Sequence, residues 1–283
     1  MAMAFGKLKD ILSDARVRLA ERASGARDAE LLLMRVLGVD RAWLMTHGDA
    51  ELALEQVRKF EGWIERRARN EPVQYIVGET EFYGLMLHVT PDVLIPRPET
   101  EHVVEVVLAK VERDAAVRIC DVGTGSGAIA IALAAQLPRA EVTAVDIAPA
   151  SLAIATENAE RHGVAGRIRF AASDLMGDLT GERFDVVVSN PPYVRDDEVL
   201  EAQVREYEPH RALFAGPTGL EVYRRLIPQA RERLTAGGWL VMEMGQGQRD
   251  AVAGLLGEWS EVSFKDDLQG IGRVAIAQRA RGE

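Results

Sequence analysis

The stretch Val117-Arg118-Ile119-Cys120-Asp121-Val122-Gly123-Thr124-Gly125-Ser126-Gly127-Ala128 decides the fold. Its first half is short and apolar, as a buried strand is. Its second half carries a glycine at every other position, which permits a tight turn and lets backbone approach a ligand closely. Residues 128–136 then read as a helix closed by Pro138. A helix that starts on such a turn offers free N–H groups and a favourable dipole to an anionic group.

Toward the C-terminus, short apolar runs alternate with helical ones. Strands are expected at 117–122, 141–146, 168–172, 184–189, 239–244, 261–265 and 273–277. Helices are expected at 101–111, 128–136, 150–162, 219–234 and 249–256. Strands separated by helices imply βαβ units. The expected fold class is therefore α/β, a Rossmann-like, mostly parallel seven-stranded sheet. The last two strands are close enough in sequence to pair antiparallel, with one reversed at the edge.

Toward the N-terminus the pattern changes twice. Residues 78–100 carry Gly78, Gly84, Pro91, Pro96 and Pro98 between short apolar pieces, which reads as a β-hairpin and a rigid loop serving as linker. Residues 1–77 read as a helical bundle, with Leu8, Ile11, Leu12, Ala15 and Leu19 at helical spacing. A long helix over 52–69 would place Leu52, Gln56, Phe60 and Trp63 on one side. Its Arg58, Lys59, Arg66, Arg67 and Arg69, interleaved with Glu55, Glu61 and Glu65, read as a solvated, ion-paired face. The domains are then 1–77, a linker at 78–100, and 101–283.

Composition narrows the class. With 283 residues, 47% hydrophobic and 28% charged, the chain is globular. A lone cysteine, Cys120, excludes an internal disulfide framework, and the five histidines show no metal-ligand spacing, so no metal is expected. Met1 to Phe5 is followed at once by charged residues, and no long apolar run occurs, so the expectation is a cytoplasmic protein away from membranes. The net charge is −10. Residues 1–77 hold 13 basic and 12 acidic side chains, leaving 21 and 32 in the remainder. That acidity argues against direct contact with nucleic acid, whose partners are normally basic.

Two groups of residues carry chemistry. Asp146, with Ile147 beside it, ends the second strand, 19 residues after Gly127, where a carboxylate can accept from both ribose hydroxyls. Asp174 follows the third strand, placed to accept from an adenine amino group. These fit a nucleoside-bearing cofactor, either a nicotinamide dinucleotide or S-adenosylmethionine. The second group is Asn190-Pro191-Pro192-Tyr193, after the fourth strand. Two prolines stiffen the loop, the Asn190 side chain and the Pro191 carbonyl are acceptors, and Tyr193 offers a flat face. Together they suit a planar –NH₂ held by both hydrogens, which turns a poor nitrogen nucleophile toward a sulfonium methyl.

The glycine turn, Asp146, Asp174 and the tetrapeptide resemble class I methyltransferases acting on a planar amino nitrogen, among them adenine methyltransferases of DNA and RNA. Further stretches resemble the release factor glutamine methyltransferases, the HemK/PrmC family. These are Gln74-Tyr75-Ile76-Val77-Gly78, Glu81-Phe82-Tyr83-Gly84, Val93-Leu94-Ile95-Pro96-Arg97-Pro98-Glu99-Thr100-Glu101, Tyr207-Glu208-Pro209 and Asp267-Leu268 to Arg273-Val274. The resemblance spans the whole chain.

It implies S-adenosyl-L-methionine as methyl donor, and as substrate the glutamine of the Gly-Gly-Gln motif in class-1 peptide chain release factors. It implies a cofactor set of Asp121, Gly123, Thr124, Gly125, Ser126, Gly127, Asp146, Ile147, Asp174, Leu175 and Asn190. Asn190, Pro191, Pro192 and Tyr193 would hold the substrate amide, with Asn190, Pro191 and Tyr193 catalytic. The helical domain would recognise the protein substrate. Arg97 would belong to a lid, and Glu208 is either near the substrate entrance or a solvated charge. Two alternatives stand beside this reading: a nucleic-acid adenine methyltransferase, and a cofactor-binding module without catalysis. An acidic catalytic domain would steer a basic release-factor loop toward it.

Overall fold

The computed structural model describes residues 4–22 and 24–282, so the first three residues of the Met1–Phe5 stretch lie outside them. The chain divides into two units, residues 1–78 with 201–207, and 79–200 with 208–283.

The smaller unit holds β1 (Ala4–Lys7), α1 (Leu8–Arg18), α2 (Gly25–Leu37), α3 (Arg41–Thr46), β2 (Glu51–Ala53), α4 (Leu54–Ala68) and α5 (Val73–Val77). Its core gathers Leu12, Leu32, Leu33, Phe60 and Ile64 from three helices. In α2, Ala29, Leu32 and Leu33 recur three and four apart on the buried face, and Gly38 ends the helix at φ +68°. Two features differ from the helical expectation. β1 and β2 form an antiparallel ribbon. In α4 the buried face is Val57, Phe60, Ile64 and Arg67. Leu52 precedes the helix in β2, and the Gln56 side chain turns back to accept from Ala53 N–H at 2.9 Å. Arg67, expected on a solvated face, is buried and donates to Asp28 of α2 at 2.8 Å. A buried guanidinium needs such a carboxylate, because an unpaired charge in the core is costly.

The larger unit opens with the hairpin β3 (Glu79–Phe82) and β4 (Leu85–His88) and the short turn Pro98–Thr100 leading into α6 (Glu101–Lys110). Then come β5 (Arg118–Val122), α7 (Ala128–Gln136), β6 (Glu141–Asp146), α8 (Pro149–Arg161), β7 (Ile168–Ala172) and β8 (Phe184–Ser189). After α9 (Ala202–Tyr207), which belongs to the smaller unit, the chain continues through α10 (Glu221–Arg233), β9 (Leu234–Glu243), α11 (Arg249–Leu255), β10 (Ser260–Asp266) and β11 (Gly272–Gln278).

Seven strands form one sheet in the order β10-β11-β9-β8-β5-β6-β7. Strands β9, β8, β5, β6 and β7 pair in parallel, and β11 runs antiparallel to both of its neighbours. The reversed strand is thus internal, with β10 at the edge, where the sequence reading put the reversal. Alternation along the strands feeds two cores. Ile119, Val186 and Val188 face the layer with α6 and α7, while Cys120, Val122 and Val187 face α10 and α11.

Phe82 and Leu87 of the hairpin belong to the first of these cores. Asn158 of α8 accepts from His88 N–H at 2.7 Å and donates to Ser126 O at 2.9 Å, tying hairpin, helix and glycine turn together. From β5 the chain steps outward through β6 and β7 on one side, then crosses back to β8 on the other. That is a topological switch point, and open α/β sheets bind ligands outside the carboxyl ends of strands there.

Candidate active site

A cavity of about 350 Å³ lies at this switch point. One wall is the turn after β5. Gly123 and Gly125 line it at φ +73° and +55°, with nothing within 4 Å of where a Cβ would stand. Gly127 faces the opposite way, and a Cβ there would stand 2.8 Å from Ile131 Cδ1 and 3.1 Å from Ala155 Cβ. The three glycines therefore serve two purposes: the first two leave open cradle, and the third lets α7 and α8 close up.

Asp121, Thr124 and Ser126 are buried behind the turn and do not line the cavity. Asp121 Oδ2 accepts from Thr124 Oγ1 at 2.7 Å and from Ala130 N–H at 3.2 Å. Its Oδ1 is buried without a partner, and burial pushes the carboxyl up to about 7. Asp146 lines the cavity and clamps two backbone groups, Gly125 N–H and Ala148 N–H, each at 2.9 Å. Those contacts leave further lone pairs on both oxygens. Ile147, Asp174 and Leu175 complete this side, with Leu175 held at φ +54°. Asp174 is half exposed and accepts from Arg225 at 2.5 Å across the cavity mouth.

The opposite wall is the tetrapeptide after β8. Asn190 and Pro192 line the cavity; Pro191 and Tyr193 do not. Asn190 Nδ2 donates to Thr100 Oγ1 at 3.0 Å, and Thr100 Oγ1 donates to Glu243 Oε2 at 2.5 Å. Tyr193 turns its hydroxyl inward and donates to Glu243 Oε1 at 3.2 Å. Burial, reinforced by that carboxylate, raises the phenol above its ordinary range. Glu243 is itself buried, and desolvation pushes it up to about 7. Gln248 adds a further tie, donating to Tyr193 O at 3.0 Å.

Thr100, Glu243 and Gln248 were missed as site residues by the sequence reading. The one available signal was that Thr100 starts a helix and Glu243 ends a strand whose carboxyl end lies where open α/β sheets bind ligands.

Asp92, Val93 and Leu94, from the loop before α6, and Pro209, Ala212 and Phe214 border the cavity as well. Arg97 does not line it but donates to Glu208 Oε1 at 2.5 Å, and Glu208 Oε2 accepts from Ile95 N–H at 3.2 Å. Glu208 is 3% exposed, so of the two roles expected for it the solvated charge is excluded. The pair clips the 92–97 loop to the 208–214 segment. Cys120 is buried mid-strand, where desolvation raises its thiol. Among the described residues no group of His, Cys, Asp and Glu is placed to hold a metal ion, and no helix is long and apolar enough to cross a membrane.

Comparison with known proteins places this geometry. Residues 10–78 match the PrmC N-terminal domain, and residues 99–207 match the methyltransferase small domain. A release factor glutamine methyltransferase of Koribacter versatilis is 44% identical over 92% of this chain and 93% of its own. One from Geobacter sulfurreducens is 45% identical over 94% and 95%. Among solved structures, the 16S rRNA N2 G1207 methyltransferase of Thermus thermophilus superposes with a TM-score of 0.54 at 19% identity, covering 71% of this chain and 49% of that one. A Pyrococcus furiosus methyltransferase gives 0.52 at 18%, covering 76% and 98%. At those identities the two structures speak for the fold alone, a class I methyltransferase sheet, whereas the sequence relatives cover both units. The chain belongs to the release factor glutamine methyltransferase family.

Proposed function

We propose that this methyltransferase transfers a methyl group from S-adenosyl-L-methionine to the side-chain amide nitrogen of the glutamine in the Gly-Gly-Gln motif of class-1 peptide chain release factors. The observation that carries the proposal is the orientation of Asn190. Its NH₂ end is spent on Thr100, so its carbonyl oxygen remains as the acceptor.

The residues present fit the donor. Gly123 and Gly125 leave room in the cavity where any side chain would intrude. Asp146 keeps lone pairs for a diol, and Leu175 supplies an apolar edge for a flat base. Bound there, the donor supplies an electrophilic methyl on a positively charged sulfur.

The chain's own part is orientation. The Asn190 side-chain oxygen, at the cavity wall, and the Pro191 carbonyl, next to it outside the lining, accept the two N–H bonds of the glutamine amide and turn its nitrogen toward the methyl. As the nitrogen bonds to carbon it gains positive charge, and acceptors already aimed at its hydrogens stabilise that charge more than they stabilise the neutral amide. The methylated nitrogen then loses a proton to water or through these acceptors. Tyr193, anchored by its hydroxyl, holds the far end of the tetrapeptide. Arg97 and Glu208 keep the covering loop in place over the cavity. The helical unit is assigned to recognition of the release factor.

Incubation with labelled S-adenosylmethionine and a release factor, followed by peptide mapping, tests the reading. Label on the Gly-Gly-Gln glutamine is expected. Label on RNA or DNA in its place would move the protein to the adenine-directed class.

A further inference from the structure

Asn190, Thr100 and Glu243 form a directional chain of hydrogen bonds. An ionised carboxylate has no proton to give, so the single O–H of Thr100 goes to Glu243. Thr100 then has only lone pairs left for Asn190, and only the Nδ2 end of the amide can meet them. The carbonyl end is thereby turned the other way. The second oxygen of the same carboxylate accepts from Tyr193, three residues further along the same loop.

We propose that Glu243 is a positioning residue whose carboxylate dictates, through Thr100, which end of the Asn190 amide faces the substrate, while it anchors Tyr193 with its other oxygen. The proposal rests on the reading of Asn190 as the acceptor of the substrate amide.

The surroundings make this a sensitive device. A neutral Glu243 carries an O–H of its own and can donate to Thr100. The Thr100 proton is then free to meet the Asn190 carbonyl, and the amide loses its reason to keep one orientation. Desolvation pushes the Glu243 carboxyl up to about 7, Glu99 works in the same direction, and Thr100, Tyr193 and Arg273 oppose it. Tyr223 donates to the backbone carbonyl of Glu243 at 3.1 Å and leaves the carboxylate to its two partners, while Arg97 acts electrostatically on Tyr193.

The test compares T100V, T100S, E243Q and the T100V/E243Q double variant, measuring kcat on a release factor and cofactor affinity by calorimetry. T100V and E243Q should each lose at least about tenfold in kcat with cofactor affinity within about twofold of wild type. T100S, which keeps the hydroxyl, should recover most of the T100V loss. The double variant should be no slower than the slower single one, because both act through the same amide. The wild-type kcat should rise with pH through about 7, and that limb should vanish in T100V.

A T100V enzyme as fast as wild type, a T100S enzyme as slow as T100V, or losses that multiply in the double variant would overturn the proposal. A wild type that binds cofactor but labels no release factor overturns the substrate reading instead. The orientation is then read without substrate, from the Asn190 side-chain amide proton resonances. They should shift as Glu243 titrates in the wild type and stay fixed in T100V; resonances that never move in the wild type contradict the inference.

Discussion

The two walls of the cavity are built on different principles. The wall after β5 and β6 is backbone held in unusual conformations, and its parts are near neighbours in sequence: Gly123, Gly125, and Asp146 clamped to Gly125 and Ala148. The wall after β8 is a stiff loop steered by side chains from far away. Thr100 is 90 residues from Asn190, Glu243 is 50 from Tyr193, and Gln248 is 55 from Tyr193. A backbone wall is specified by conformation and fails by losing shape. A side-chain wall is specified by a network and fails by losing direction. Substitutions in the first should therefore show up in affinity and stability, and those in the second in rate.

The largest effect is expected from the side-chain wall. Asn190→Ala should lower kcat by about 10²–10³-fold, the scale of removing one preorganised group that meets developing charge, while a cofactor titration stays nearly unchanged. An equal loss in cofactor affinity would erase the distinction between the walls.

Next is Asp146→Ala, expected to weaken cofactor binding by about 10–100-fold, the scale of hydrogen bonds to a charged group, with a smaller change in kcat at saturating cofactor. An unaltered binding isotherm would show that the diol is held elsewhere.

The glycine turn separates shape from fit. Gly127→Ala combines a φ of +83° with a 2.8 Å clash, and should cost about 2–3 kcal/mol in urea unfolding. Gly125→Ala has the strained φ but open space, and should cost about 1 kcal/mol while narrowing the cavity. Equal costs would mean that α7–α8 packing does not depend on Gly127.

The remaining effect is in pH. Burial raises both Asp121 and Glu243 to about 7, so the folded state binds more protons than the unfolded chain between about pH 4 and 7. Their contribution is fully present below about pH 4 and is lost as pH rises through 7. Asp121→Asn should flatten the decline in unfolding free energy between about pH 4 and 7. A decline as steep as that of the wild type would place the titration elsewhere.

The same contrast explains what could be read in advance. β5, β6 and β8 were legible because each is a short, largely apolar run, and strands buried on both faces leave that mark. β9 was expected to begin at 239, after Gly237-Gly238, yet it starts at Leu234. Those glycines are an irregularity within the strand, with Gly237 at φ +79° and a register shift against β8. Proximity in sequence showed that β10 and β11 pair, but not which of them lies beside β9. β1 and β2, with 4 and 3 residues, are too short for alternation to register.

Of the residues that line the cavity, Gly123, Gly125, Asp146 and Asn190 were marked out by local spacing. Thr100 and Glu243 could not, since their meaning arises only when a helix start and a strand end come together around Asn190. Arg67 was misread for a related reason, because its partner Asp28 sits on another helix.

The most direct measurement is mass spectrometry of a class-1 release factor after incubation with the enzyme and S-adenosylmethionine carrying a heavy methyl group. The account predicts one heavy methyl on the Gly-Gly-Gln glutamine with the wild type and none with Asn190→Ala. An unmodified glutamine after incubation with the wild type, under conditions where calorimetry shows the cofactor bound, would contradict it.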